Sequence, residues 1–415
     1  MSDMNRIPIS SHVRRLPASS ALVVSAQARE LKSRGVDVIG FGTGEPDFGT
    51  PRHIAESLFR AVEQGHTHYA PSPGSPESLD RIARKLREEN GLPVEGRDVV
   101  VTVGAKQAIY LTMQCLIEPG RGDEVLLISP SWVSVPAIIE VCGGIATHVS
   151  GTLDSGWKIT PEQLEEAINE RTIAVMINSP SNPCGTIYSP EELKALGEVL
   201  VRHPGVSLIS DEIYEKLIYP EIDPSVRHFS PGSIPELAER TITLNGLSKA
   251  FAMTGWRIGY LATPSGNGDF AAHAGKLHSQ MLSSIPAFCM PPIIEALDHG
   301  AEAVESMRSA FAHRGKLMFG LLEQIEGIRC IQPAGAFYCF PDVSDCLGRT
   351  SAGGRKLETC MDFCTALLEE VNVGVVPGAD FGPTAVNCCR LSFASSEPEI
   401  TAGCERISDF VSSLC

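Results

Sequence analysis

Lys249 is the residue whose surroundings bear most directly on chemistry. It lies in Gly-Leu-Ser-Lys-Ala-Phe-Ala-Met-Thr-Gly-Trp-Arg-Ile-Gly-Tyr, residues 246–260, just after an apolar run that reads as a buried strand. Small residues surround it, and Arg257 follows eight positions later. A lysine withdrawn from water into a pocket has a depressed pKa and becomes a nucleophilic amine, suited to Schiff-base formation with a carbonyl. Pyridoxal phosphate is the common carbonyl cofactor. It requires a lysine, an acid beside its pyridine nitrogen and an anion site for its phosphate. Asp211 can supply the acid, and Tyr214 and Asn182 can donate to the cofactor's phenolate oxygen. The amides of Gly104, Ala105 and Lys106 open a helix that can cradle phosphate, and Arg257 adds a fixed positive charge.

Taken singly these residues are ordinary; what matters is whether the elements bring them together. Short apolar runs at 99–104, 124–130, 172–180, 206–210, 241–246 and 257–262 alternate with helical patterns such as 105–117 and one starting near Trp132. The runs are continuous, as in strands covered on both faces. Strand–helix repetition predicts an α/β fold with a large, doubly wound, mostly parallel sheet. Ligands of such sheets sit outside the carboxyl ends of the strands. Gly104–Lys106, Ser179–Pro183, Asp211–Tyr214 and Lys249 each follow a strand. The last third reads differently: one long helix from about Pro292 to Ile325, strand-like pieces in Gly-Ala-Phe-Tyr-Cys-Phe and Cys-Cys-Arg-Leu-Ser-Phe-Ala, and helices around 357–370 and 397–413. The expected division is an amino-terminal segment (1–45) packing on a small α+β domain (296–415), with a large cofactor-binding domain (46–295) between them.

The chain has 415 residues, 43% hydrophobic and 20% charged, with a net charge of −16. An acidic surface disfavours nucleic acid and anionic membranes as partners. No run approaches the ~18 apolar residues of a membrane span, and the amino-terminal stretch has no apolar core of a secretory signal. A cytoplasmic location is therefore expected. The 13 cysteines include no Cys-x-x-Cys pair, so they read as buried, reduced thiols, and no metal site is expected.

The motifs Gly-Thr-Gly-Glu-Pro-Asp-Phe (42–48), His-Tyr-Ala-Pro-Ser-Pro-Gly (68–74), Val-Thr-Val-Gly-Ala-Lys-Gln-Ala (101–108), Ser-Pro-Ser-Trp-Val-Ser (129–134), Asn-Ser-Pro-Ser-Asn-Pro-Cys-Gly (178–185), Ser-Asp-Glu-Ile-Tyr-Glu (210–215), the Lys249 segment, Gly-Ala-Phe-Tyr (335–338) and Cys-Arg-Leu-Ser-Phe-Ala (389–394) stand in one order. In that order the chain resembles the class I aminotransferases of the fold-type-I pyridoxal phosphate family, most of all the bacterial aspartate and aspartate/prephenate subgroup. The resemblance runs from about Arg14 to the carboxyl terminus and implies amino transfer between an α-amino acid and a 2-oxo acid. It implies that Lys249 forms the Schiff base and moves the α-proton, that Asp211 partners the ring nitrogen, and that Tyr214 and Asn182 face the phenolate. It further implies that Trp132 stacks on the ring, and that Gly104, Ala105, Lys106 and Arg257 lie on the phosphate side. Tyr69 would reach a phosphate across a homodimer interface. Arg390 would grip the substrate α-carboxylate, with Gly44, Trp132, Asn182 and Arg15 also on the substrate side. Cis bonds at Ser129–Pro130 and Asn182–Pro183 belong to the same expectation.

Three departures from the subgroup stand out. Gly246 occupies a position where many relatives place a phosphate-binding serine. Gly-Ser-Pro-Glu-Ser-Leu-Asp (74–80) lacks an arginine of the subgroup motif. Ala21 replaces a threonine associated with the substrate's distal carboxylate, while Arg15 and Lys106 are retained. Aspartate and glutamate are thus expected to react less well than in close relatives. A serine hydrolase built on Ser248 would leave Asp211, Asn182, Arg257 and Arg390 without roles, and Gly-Phe-Gly-Thr-Gly-Glu (40–45) fails the dinucleotide fingerprint. The alternative that retains the cofactor is a lyase or a β- or γ-substituting enzyme of specialised metabolism on the same fold.

Overall fold

Runs of valine, isoleucine and leucine covered on both sides build the main sheet of the protein, seen here in a computed structural model that describes residues 7, 9–14, 16, 20–264 and 270–415. In chain order the strands are β1 (Ile39–Gly40), β2 (Val99–Val103), β3 (Glu124–Ser129), β4 (Ile145–Ser150), β5 (Thr172–Asn178), β6 (Ser207–Asp211), β7 (Thr241–Gly246), β8 (Ile258–Ala262), β9 (Tyr338–Cys339), β10 (Val373–Gly374), β11 (Val376–Pro377) and β12 (Cys389–Ser392). Seven of them form one sheet in the order β2-β8-β7-β6-β5-β3-β4. Pairings are parallel except those of β8, which runs antiparallel to both β2 and β7. This is the expected α/β class, a large, mostly parallel sheet with helices on both faces.

Two features depart from the sequence expectation. Strand β4 is additional to the expected runs. It is an edge strand, largely half-exposed, and its Ile-Ala-Thr-His-Val-Ser sequence lacks the continuous apolar run of a central strand. The single long helix expected from Pro292 is two helices, Met290–His299 and Ala301–Leu322, meeting at Gly300. A side chain at Gly300 would place its Cβ 2.5 Å from the Phe251 ring and from the Ala296 carbonyl oxygen. Contact with a distant residue sets that junction.

Strands β11, β12 and β9 form a small antiparallel sheet. Its core holds Phe311, Phe337, Phe363, Phe393 and Phe410, and Phe41 from the amino-terminal segment joins it. Strand β1 pairs in parallel with β10, which ties that segment to the carboxyl-terminal part of the chain. The peptide bonds Ser129–Pro130 and Asn182–Pro183 are cis as expected, and Ser179–Pro180 is cis as well. The fold thereby sets Asp211, at the end of β6, and Lys249, just past β7, side by side at the carboxyl edge of the main sheet, with β12 bringing Arg390 across from them.

Candidate active site

A cleft of about 710 Å³ opens at that edge. Gly44, Ala105, Lys106, Trp132, Asn182, Asp211, Tyr214, Lys249, Arg257 and Arg390 all line it. Gly104 lies just behind, under Arg257. Tyr69 is elsewhere, 93% exposed and outside the cleft. Arg15 lies outside the described residues, and for Ala21 only the backbone is described.

The Lys249 amine donates to the Gly44 carbonyl oxygen at 2.5 Å, and its nitrogen lies 5.7 Å from the centre of the Phe337 ring and 6.0 Å from that of Tyr214. Burial, reinforced by the nearby Arg390 guanidinium, lowers its pKa to about 8. Asp211 is pushed the other way, up to about 7, chiefly because burial disfavours its charge. The Ile213 amide donates to its Oδ1 at 3.2 Å, and the Asn178 side chain holds its backbone carbonyl at 3.0 Å. Asn178 accepts from the Asn182 amide at 2.8 Å through its other atom, so one side chain at the end of β5 sets both residues.

The phosphate-side residues form a compact positive corner. Gly104 begins the 13-residue helix Gly104–Leu116 with φ +72°, and a Cβ there would lie 2.5 Å from the Arg257 Nη2. Only glycine lets the guanidinium cover the helix amino terminus. Arg257 itself has φ 58° and donates from Nη1 to the Thr254 carbonyl oxygen at 2.9 Å. Lys106 lies 4.7 Å from the Trp132 ring centre, and burial together with Arg257 lowers its pKa.

Arg390, 5% exposed, donates to Asn182 Oδ1 at 2.9 Å and to the Gly42 carbonyl oxygen at 3.0 Å. Its Nε is buried with no hydrogen-bond partner among the described residues. Its guanidinium stacks 4.5 Å from the Tyr338 ring centre. The Tyr338 hydroxyl meets that of Tyr214 at 3.0 Å. Sequence reasoning included Tyr338 in a motif but assigned it no place in the site; Asn178 was missed in the same way. Glu45 and Thr254 also line the cleft without having been singled out, as does Ser248, weighed above only as a hydrolase nucleophile.

The donor set fits pyridoxal phosphate. A buried amine, a buried acid, a glycine-opened positive corner and a buried guanidinium line one volume. Comparison with known proteins decides the point: residues 36–407 match the sequence pattern described as "Aminotransferase class I and II". The chain belongs to that family. It is 43% identical to an aspartate aminotransferase of Geobacillus stearothermophilus, covering 97% of this chain and 98% of the other. It is 41% identical to an aspartate/prephenate aminotransferase of Cereibacter sphaeroides, covering 98% and 99%. Among solved structures, the aspartate aminotransferase of Rhizobium meliloti superposes with a TM-score of 0.93 at 36% identity, covering 99% of this chain and all of that one. That of Thermus thermophilus, crystallised with maleate, gives 0.89 at 38% identity, covering 98% of this chain and all of that one. The protein is thus a pyridoxal phosphate-dependent aminotransferase of fold type I, moving an amino group between an α-amino acid and a 2-oxo acid. The lyase and substitution alternative is not favoured by these relatives.

The raised pKa of Asp211 carries a prediction for the cofactor-free protein. The native state holds this proton more tightly than the unfolded chain, whose aspartates titrate near 3.9. Native stability therefore falls as pH rises through the window from about 4 to about 7, by about 1.4 kcal/mol for each pH unit within that window. Asp211→Asn has no charge to bury. Its denaturation midpoint is expected to exceed that of the wild type at about pH 8, with the difference shrinking toward about pH 5. Equal differences at both pH values would show that Asp211 is not a strained buried acid.

Proposed function

We propose that Lys249 attaches the cofactor covalently and carries the α-proton, and that the preferred substrate is an α-amino acid with a second carboxylate, aspartate or a related acid. The single observation that carries this is that the buried Lys249 amine and the buried Arg390 guanidinium line one cleft. Pyridoxal phosphate, when bound, would supply an aldehyde carbonyl and an electron sink. Asp211, short of water, gains a positive partner in a protonated ring nitrogen. Tyr214 and Asn182 would donate to the phenolate oxygen, and Trp132 would offer its ring face. Arg257, Lys106 and the amides from Gly104 onward would hold the phosphate. Lys249 Nζ, with its pKa near 8, is neutral in part near neutral pH and so can accept a proton from the substrate α-carbon and return it. Arg390 grips the substrate α-carboxylate in a planar, two-point pairing that a lysine does not reproduce. Closure of residues 296–415 over residues 46–295, with 1–45 following, would exclude water from the site.

Three cations, Lys106, Arg29 and Lys32, also line the cleft and suit a distal carboxylate. The relatives named above act on aspartate, and one of them on prephenate as well; the Thermus thermophilus neighbour was crystallised with maleate, a dicarboxylate. Arg15, inferred from the resemblance, would join them. Ala21 brings no hydroxyl to that end, which makes aspartate a weaker substrate than in relatives with threonine there. The same reading includes a homodimer in which Tyr69 serves the neighbouring site. The 93% exposure of Tyr69, with Phe59 at 67%, is consistent with a covered surface. No helix among the described residues is long and apolar enough to cross a membrane; a cytoplasmic location is part of the proposal, from the acidic, signal-free sequence.

Three measurements test this reading. Arg390→Lys is expected to lower kcat/KM for every amino acid by roughly thirtyfold or more, the cost of breaking one buried charge pair. In wild type, aspartate and glutamate should outpace alanine and leucine in single-turnover assays; faster turnover of aliphatic substrates would overturn the dicarboxylate assignment. For the dimer, sedimentation at assay concentration should give one species of twice the 44.5 kDa chain mass, and a fully active monomer would contradict it.

A further inference from the structure

The turn that carries Asp211 has a second face. Asp211, Ile213 and Tyr214 line the cleft, whereas Glu212 and Glu215 point away from it into the protein, 1% and 9% exposed. Four donors meet the Glu212 carboxylate. Ser210 Oγ and Ser230 Oγ donate to Oε1 at 2.9 Å and 2.6 Å, and Asn90 Nδ2 lies 2.9 Å from Oε2. His228 Nε2 is also 2.9 Å from Oε2. Glu215 is ion-paired with Lys85 and accepts from Asn90 Nδ2 at 2.8 Å, and His228 Nε2 is 3.8 Å from its Oε2. Lys85, 1% exposed, also donates to Asn90 Oδ1 at 2.7 Å. At the margin, Glu89 lies 3.8 Å from Lys85 and pairs with Lys216 at 2.5 Å, and the buried Tyr260 faces Glu212, Glu215 and Glu89.

None of these groups has a part in the chemistry above. Their ligand atoms would permit a cation, since those of Glu212, Glu215 and His228 lie within 4.8 Å of one another. The Lys85 ammonium already supplies one. The charges then fail to balance: Glu89 and Lys216 cancel, Lys85 answers Glu215, and Glu212 is left with neutral donors unless His228 carries a second proton. A buried carboxylate without a counter-charge is costly, and this one adjoins Asp211. Glu212 is hydrogen-bonded to Ser210 on the other side of Asp211, and its amide donates to the Leu244 carbonyl oxygen at 2.9 Å, tying the turn to β7.

We propose that His228, as the imidazolium partner of Glu212, is a positioning residue for Asp211: it balances the charge behind the turn so that Asp211 presents a carboxylate to the cofactor. The inference rests on the reading that Asp211 meets the ring nitrogen. The Glu212 charge already contributes, after burial, to pushing the Asp211 carboxyl up, and removing its counter-charge strengthens that effect.

His228→Gln isolates the charge, because glutamine retains a donor toward Glu212 but cannot be protonated. The readouts are the dissociation constant of pyridoxal phosphate for the cofactor-free protein, followed by tryptophan fluorescence, and the pH midpoint of the bound cofactor's visible absorbance. His228→Gln is expected to weaken binding roughly tenfold, the scale of one unit charge acting across neighbouring residues in a protein interior, and to move the midpoint. Glu212→Gln combined with His228→Gln removes both charges and is expected to return binding to within roughly threefold of wild type. Unchanged affinity and midpoint in His228→Gln, with only a lower thermal midpoint, would reduce His228 to a structural role and overturn the proposal. So would a double variant no better than the single one. Should His228→Gln not fold, the ring nitrogen shifts of His228 in the wild-type protein decide: both nitrogens protonated at neutral pH supports the proposal, and a neutral ring overturns it. Asp211→Asn separates the two levels. If it binds the cofactor as tightly as wild type, the reading of Asp211 itself fails and the proposal with it; if it weakens binding while His228→Gln does not, only the proposal fails.

Discussion

Everything in this structure turns on holding charged groups out of water around one cleft. An amine, a carboxyl and a guanidinium are each expensive to bury, and each shows the expense. The Lys249 pKa falls to about 8, the Asp211 pKa rises to about 7, and Arg390 retains an unfilled buried nitrogen. Folding has to supply that free energy elsewhere, from the continuous apolar strands and the phenylalanine core beneath β9 and β12. Pyridoxal phosphate and an amino acid would bring matching groups to these residues: a carbonyl, a ring nitrogen, a phosphate and a carboxylate. The same physics reconciles an acidic molecule with anionic ligands. The net charge of −16 belongs to the surface, while the cleft is lined by Arg29, Lys32, Lys106, Lys249, Arg257 and Arg390 against Glu45 and Asp211.

Much of this could be read from the sequence, and for a physical reason. Strands buried on both faces are continuous apolar runs, and their carboxyl ends are where such sheets put ligands. Polar residues placed just after those runs, such as Asp211 and Lys249, therefore announced themselves. Arg390 was legible by resemblance, since its neighbours along the chain say little about which cleft it faces.

The rest depended on contacts between residues far apart in the chain. Strand β4 escaped because an edge strand needs only partial burial, so Thr147 and His148 interrupt its apolar pattern. The junction at Gly300 is set by the Phe251 ring. Tyr338 meets Tyr214 across 124 positions, and Glu212 gathers donors from three separate stretches of chain, so no local spacing reports either contact. The segment from Asp211 to Glu215 shows the limit most clearly. Its five residues were read for the face that looks into the cleft, and the two glutamates facing the other way had no partner visible in the sequence.

The account stands or falls on Lys249 as the covalent attachment point. Borohydride reduction of the protein loaded with pyridoxal phosphate, followed by proteolysis and mass spectrometry, reads the attachment site directly. The account predicts one cofactor-sized adduct, on the peptide containing Lys249. An adduct on Lys106 or another lysine instead, or none in a preparation that still transfers amino groups, would contradict it.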